Sequence, residues 1–237
     1  MGAFAGPTIV TNGLTMLVDA ADRLSYPGTG TVWRDLSGRG IDCTLYNSPT
    51  YASIGSLAFN GSTQYGLCSA VVPFSGSAAW TMTGWFQRTG SYSTGATWGL
   101  GTAGIATNIS SYNHNNANEI SIDLYGTSTF SSGQIYDLNT WNFAAWVFAG
   151  GVFSRTNVTI WKNSVSYNGT NLSVLRGGEI TTPNVNPAGG IAVSRGSAAD
   201  NLYYSPMTIA NLTLYNRALG ADEIAQNFNA YRGRYGI

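Results

Sequence analysis

Charge is the scarcest property of this sequence. Only 9% of its 237 residues are charged, and 11 basic side chains balance 11 acidic ones for a formal net charge of +0. Average soluble domains carry roughly 25%. A chain without a basic field cannot hold a polyphosphate or an anionic bilayer, so no nucleic acid and no membrane insertion are expected. No apolar run reaches the ~18 residues of a membrane-spanning helix. Residues 1–10, MGAFAGPTIV, lack the charged start and long apolar stretch of an export signal, so the chain is expected to be made in the cytoplasm. There is one histidine, His114, which excludes a multi-histidine metal centre and leaves no legible Ser, His and Asp set. The two cysteines, Cys43 and Cys68, could pair across a short loop, but two thiols in a chain of this size more often act as small buried hydrophobes. Six Asn-x-Ser/Thr sites are what chance supplies in so Asn-rich a chain.

What the sequence does contain is alternation. Leu14, Met16 and Val18 interleave with Thr15 and Leu17. In residues 79–88, Trp80, Met82, Gly84 and Phe86 face one way and Thr81, Thr83, Trp85 and Gln87 the other, which predicts a central strand. Ile120, Ile122 and Leu124 mark one face of another strand, while residues 141–149, WNFAAWVFA, are apolar on both faces, as in a strand covered on both sides. Residues 156–166 predict a strand and a turn at Asn163; Asn60-Gly61 predicts a hairpin turn. Near the end, Ala210, Leu212 and Leu214 alternate with Asn211, Thr213 and Tyr215. One helix follows, with Gly220 as N-cap, Asp222 and Glu223 in its first turn, and Ile224, Phe228 and Tyr231 on one stripe. Gly233 should end it. A lone helix of three turns must dock on a sheet to bury that stripe.

Several of these segments carry a family resemblance. Residues 209–224, IANLTLYNRALGADEI, resemble the closing signature of the laminin-G-like branch of the concanavalin A-like lectin and glucanase superfamily, with Ala210 and Asn211 in place of its acidic pair. Residues 32–47, VWRDLSGRGIDCTLYN, resemble an early segment of the same domains. There Trp33 and Leu36 would plug the core, Asp35 and Ser37 would bond local backbone, and Gly38 and Gly40 would take positive φ. Residues 56–68, 79–88, 156–166 and 190–195 are similar to further family segments, in the family's order. The resemblance implies an all-β fold: a two-sheet antiparallel jelly-roll sandwich of roughly a dozen strands with one short C-terminal helix. It would form a single domain over residues 13–237 behind an arm of residues 1–12.

The superfamily includes glucanases, which place two or three acids on one strand as Glu-x-Asp-x-x-Glu or Glu-x-Asp-x-Glu. This chain has no such run, and Glu119 and Asp123, four residues apart, would be ~13 Å apart along a strand. The expectation is therefore that the chain is not an enzyme. Calcium is the family's common ion; Asp19, Asp22, Asp35, Asp42 and Asp200 are candidate ligands that form no dependable set, and no cofactor is expected. Sugar-binding sites pair aromatic faces with amides and carboxylates. Three segments have that make-up: residues 88–101 with Tyr92 and Trp98, 106–118 with Tyr112 and His114, and 195–206 with Asp200, Asn201, Tyr203 and Tyr204. The candidate carbohydrate-binding residues are Trp98, Tyr112, Asp200, Asn201 and Tyr203. Residues 6–35 resemble the opening of lectin-like structural proteins of tailed bacteriophages. That resemblance implies a non-enzymatic virion protein, a capsid decoration, head-fibre or tail-appendage component, assembled in the host cytoplasm. Its partners would be other virion proteins, copies of itself in a homo-oligomer such as a trimer, and host-surface glycans. The alternatives are a free carbohydrate-binding module and a degenerate glucanase.

Overall fold

The computed structural model describes residues 8–52, 54–68, 74–91, 94–113, 118–178, 182–197 and 203–237. The chain runs through β1 (Leu14–Asp19), β2 (Val32–Trp33), β3 (Cys43–Tyr46), β4 (Thr50–Ala52), β5 (Ser56–Asn60), β6 (Tyr65–Cys68), β7 (Trp80–Arg88), β8 (Gly95–Gly101) and β9 (Asn108–Asn113). It continues through β10 (Glu119–Leu124), β11 (Ser128–Ile135), β12 (Trp141–Phe148), β13 (Val158–Lys162), β14 (Val165–Asn168), β15 (Ser173–Arg176), β16 (Ile191–Val193), β17 (Pro206–Tyr215) and α1 (Ala221–Tyr231). The strands form two antiparallel sheets packed as a sandwich. Sheet A runs β14-β13-β12-β7-β17-β5-β4, with β1 also on β17; sheet B runs β15-β11-β10-β9-β8-β16-β6-β3-β2. The all-β sandwich with one short C-terminal helix is thus as expected, with more strands than a dozen.

Alternation sets the two faces. Trp80, Met82 and Phe86 of β7 enter the core between the sheets, with Ile120, Ile122 and Leu124 of β10 opposite, whereas Trp85 points outward. The outer face of sheet A is not left to water. Ile224 and Phe228 of α1 cover Trp85, Phe143, Ala145 and Tyr215, and Trp85 stacks on Phe228 at 5.7 Å and on Tyr235 at 4.5 Å. This second cover explains why β12 is apolar on both faces. The helix starts as its sequence suggests: Gly220 is extended, and its N–H donates to the Glu223 carboxylate at 2.9 Å. It ends at Tyr231 in a 3-10 turn over Arg232–Arg234 rather than at a left-handed Gly233; the glycine with positive φ is Gly236, at 72°.

Four local expectations need correction. Asn60-Gly61 is not a hairpin turn, because β5 belongs to sheet A and β6 to sheet B. The Asn60 side-chain oxygen accepts the N–H groups of Ser62, Thr63 and Gln64, so the same turn chemistry instead carries the chain from one sheet to the other. Ala210 does not share a face with Leu212 and Leu214. The pairing of β17 with β7 shifts between Ile209 and Asn211, so Ile209 and Leu212 both point into the core and Ala210 points out. Leu36 is half-buried while Trp33 fills the core alone. Cys43 and Cys68 are not thiols: they sit opposite one another on β3 and β6 and form a disulfide.

Candidate functional site

Among the described residues no helix lies over the outer face of sheet B, whereas α1 covers that of sheet A. One rung of paired residues crosses all nine of its strands: Val32, Thr44, Leu67, Ala192, Gly99, Ser110, Asp123, Thr129 and Arg176. These residues point outward because their neighbours on each strand, such as Ile109, Ile122 and Phe130, fill the core. Residues 195–197 and 203–205 lie against the middle of this face. A Cβ on Gly99 would lie 1.8 Å from the Gly196 carbonyl oxygen, so only glycine admits the crossing there. The far end is pinned by the Ala96 N–H donating to the Tyr203 carbonyl at 2.9 Å and by the Ser194 hydroxyl donating to the Ser205 carbonyl at 2.8 Å.

Beside this crossing lies a pocket of about 310 Å³. Ser110 and Asp123 form its floor, Tyr112 and Tyr203 one wall, and Arg176 and Ile105 the rim. Asp123 is 3% exposed and accepts the Thr129 hydroxyl at 2.6 Å. Arg176, on the edge strand, is exposed and has no ion-pair partner among the described residues. The rings of Tyr112 and Tyr203 meet edge to face at 4.5 Å. Burial, then the neighbouring Tyr203 and Asp123, push the Tyr112 phenol up to about 12, so it stays protonated and able to donate. Tyr203 holds φ at 65°, a costly conformation for an aromatic residue, which fixes its ring against Tyr112. The pocket thus offers carboxylate acceptors, guanidinium and phenol donors and two ring surfaces around a cavity near the lower end of the ~300–1,000 Å³ typical of ligand sites.

Of the five expected binding residues, Tyr112 and Tyr203 line this pocket. Trp98 does not reach it. It is 0% exposed, packed edge-on to Trp80 at 5.7 Å and Trp146 at 5.1 Å, because β8 turns Trp98 and Leu100 into the core after a register shift between Ala96 and Gly99. Asp200 and Asn201 lie outside the described residues, as do His114 and Tyr92. The spacing of Asp123 from Glu119 speaks only to catalysis, although its alternation with Ile122 and Leu124 puts it on the outward face; Ser110 and Arg176 carry no such signal. Glu119, two rungs along β10 from Asp123, accepts the Ser131 hydroxyl.

The candidate calcium ligands have other work. Asp35 accepts the N–H groups of Leu17, Ser37 and Ile41 and the Ser37 hydroxyl; burial alone would raise its carboxyl, but these bonds hold it below its ordinary value. Asp42 accepts the Asp35 N–H, Asp22 the Leu24 N–H, and Asp19 pairs with Arg234 at 2.9 Å. No group of three or more His, Cys, Asp or Glu able to hold a metal occurs among the described residues.

No protein-family model and no curated protein sequence matches the chain. Solved structures do. A Trypanosoma rangeli sialidase in complex with sialic acid superposes with a TM-score of 0.63 at 18% identity, over 94% of this chain and 33% of that one. Domain 4 of AbnA, a GH43 extracellular arabinanase from Geobacillus stearothermophilus, in complex with arabinotriose, superposes with a TM-score of 0.63 at 14% identity, over 91% of this chain and 98% of that one. A botulinum neurotoxin type C structure, whose cell entry is described as dependent on interaction with two ganglioside molecules, gives 0.62 at 11% over 93% and 52%. The chain spans about a third of the sialidase it matches. These likenesses overturn two expectations. A phage virion structural protein does not stand, because the similar structures are a sialidase, a domain of an arabinanase and a ganglioside-dependent toxin. The expectation that the chain is not an enzyme falls with it, since two of the three are glycoside hydrolases or parts of one. The alternative, a carbohydrate-binding module or degenerate glucanase, fits these neighbours better. What the likenesses establish for this chain is the fold, a two-sheet β-sandwich that also occurs in carbohydrate-active proteins.

Proposed function

We propose that this chain is a carbohydrate-recognition domain of the laminin-G-like, concanavalin A-like kind, belonging to a carbohydrate-active protein, and that it seats a neutral sugar in the pocket between Asp123, Tyr112, Tyr203 and Arg176. The observation that carries this reading is the rung Ser110–Asp123–Thr129–Arg176, which sets a buried acceptor and an exposed donor on one surface beside two fixed rings. A sugar hydroxyl both donates and accepts, so it can satisfy the carboxylate and the guanidinium together, and the opposite charges leave the pocket without net preference for an ion. That a similar arabinanase domain was solved in complex with arabinotriose, a neutral oligosaccharide, supports the ligand class. The Cys43–Cys68 disulfide supports use in an oxidising place such as the cell exterior.

A shallow site of this size is expected to bind with a dissociation constant on the order of 0.1–1 mM and to act through several copies, which a homo-oligomer would supply. The test is glycan-array binding of a multivalent form, followed by calorimetry on the best sugar. Arg176→Ala, at an exposed position, should weaken binding about tenfold or more, as loss of a charge-assisted hydrogen bond does, with an unchanged melting temperature. Tyr112→Phe should weaken it less. Full binding by both variants would refute the site. Reducing-end release from the same sugars, lost in Asp123→Asn, would extend the role of the pocket from binding to hydrolysis.

A further inference from the structure

We propose that the outer face of sheet B carries a second carbohydrate contact, separate from the pocket, in which the apolar face of a pyranose ring stacks on Tyr46. This rests on the chain being carbohydrate-binding but not on the pocket being its site. Tyr46 and Tyr65 lie directly opposite one another on β3 and β6, one step along from the Thr44–Leu67 pair of the long rung. Their side chains therefore stand on the same outer face as the pocket, on the other side of Gly196 and Tyr203. Their rings are parallel within 7° at 4.7 Å.

The stack is braced from behind. The Arg195 guanidinium sits 4.6 Å from the centre of the Tyr65 ring, and Tyr204 leans on the same ring at 5.9 Å. Arg195 is 2% exposed, so this backing is fixed within the protein. Tyr46, at the open end, is 39% exposed, and Val32, opposite Thr44 on the edge strand, is 37% exposed. A ring already held by its neighbours loses little rotamer freedom when a ligand arrives, which is what a weak stacking contact requires. Aromatic rings present a flat apolar surface that complements the C–H face of a sugar, and the phenol beside it can bond a ring hydroxyl. The exposed Asn47 follows Tyr46 in the chain, and its amide nitrogen donates to the Thr63 carbonyl at 2.6 Å. Neighbouring residues serve the two sites, since Tyr203 lines the pocket while Arg195 and Tyr204 back the stack.

Glycan-array binding of multivalent wild type, Tyr46→Ala, Tyr46→Trp and Arg176→Ala tests this. Tyr46→Ala should lose at least about fivefold in signal on part of the array, the scale of one aromatic contact, and Tyr46→Trp should retain or gain it. Loss in Tyr46→Ala with binding kept in Arg176→Ala would support the stack and sink the pocket. Loss in Arg176→Ala with Tyr46→Ala indistinguishable from wild type would sink the stack and leave the pocket. No binding by wild type to any glycan overturns both. Should Tyr46→Ala melt early, the Tyr46 ring resonances of the wild-type protein decide, titrated with the strongest array sugar: shifts confined to Tyr46 and Tyr65 support the stack, and unmoved resonances overturn it.

Discussion

A tryptophan with no exposure, held edge-on between two others, cannot serve a ligand, so Trp98→Ala is expected to act on stability alone. Removing so large a fully buried side chain should cost about 3–5 kcal/mol, read as a lower urea midpoint, whereas Tyr203→Ala at the pocket wall should lose sugar binding first. A Trp98→Ala protein that melts like wild type would show the core to be packed otherwise. The contrast between Trp98 and Tyr112 shows what a single residue reveals. Both sit among glycines, serines and asparagines, a composition shared by sugar-binding loops and by strands of this charge-poor chain. Only the alternation of Trp98 with Leu100 separates the two cases, and the register shift between Ala96 and Gly99 hides it. Arg176 was harder still, because its four-residue edge strand, SVLR, has too little pattern to fix a face.

At the scale of elements, α1 was legible from its cap and stripe, and its electrostatics yield a pH prediction. Glu223 forms a two-pronged pair with Arg217 and also accepts the Gly220 N–H. The Arg217 bonds first, and that N–H second, hold its carboxyl down to about 2 from an ordinary 4.5. A lowered carboxyl favours the folded state above the unfolded value, so this contribution is complete above pH ~4.5 and disappears as pH falls towards ~2. The pair is partly exposed, with side-chain accessibilities of 28% and 33%, so the effect should be small and salt-sensitive. Comparing melting temperatures of wild type and Glu223→Gln from pH 2 to 6 checks it: the gap should be widest at pH 6 and close on acidification. A gap independent of pH would mean that the carboxylate contributes only as a neutral cap. Where an element's role depended on distant partners, the sequence said less. Asn60-Gly61 is a turn in either setting, and only the pairing of β5 with β17 makes it a passage between sheets.

Over the whole molecule, the face of most strands could be assigned from alternation, but their order could not, since β1 pairs with β17 and the register of such distant strands leaves no local trace. The disulfide belongs to this same class of long-range fact. Its two cysteines are 25 residues apart, and nothing between them requires that they meet until β3 and β6 are known to be adjacent. Once closed, the bond ties β3 to β6 within sheet B, while the intervening β4 and β5 belong to sheet A, so it fastens a loop that reaches across the sandwich and back. Restricting a 25-residue loop in the unfolded chain should stabilise the fold by about 3.5 kcal/mol in the chain-entropy model. For a domain of this size that corresponds to a melting temperature higher by roughly 7–14 °C. Cys43→Ala/Cys68→Ala should therefore unfold at a clearly lower denaturant midpoint, with an extra loss because Cys43 is fully buried and Cys68 4% exposed in the core. Thiol titration of the unfolded, unreduced wild type should find no free cysteine. Two free thiols there, together with a double variant as stable as wild type, would show that the strands are held by packing alone.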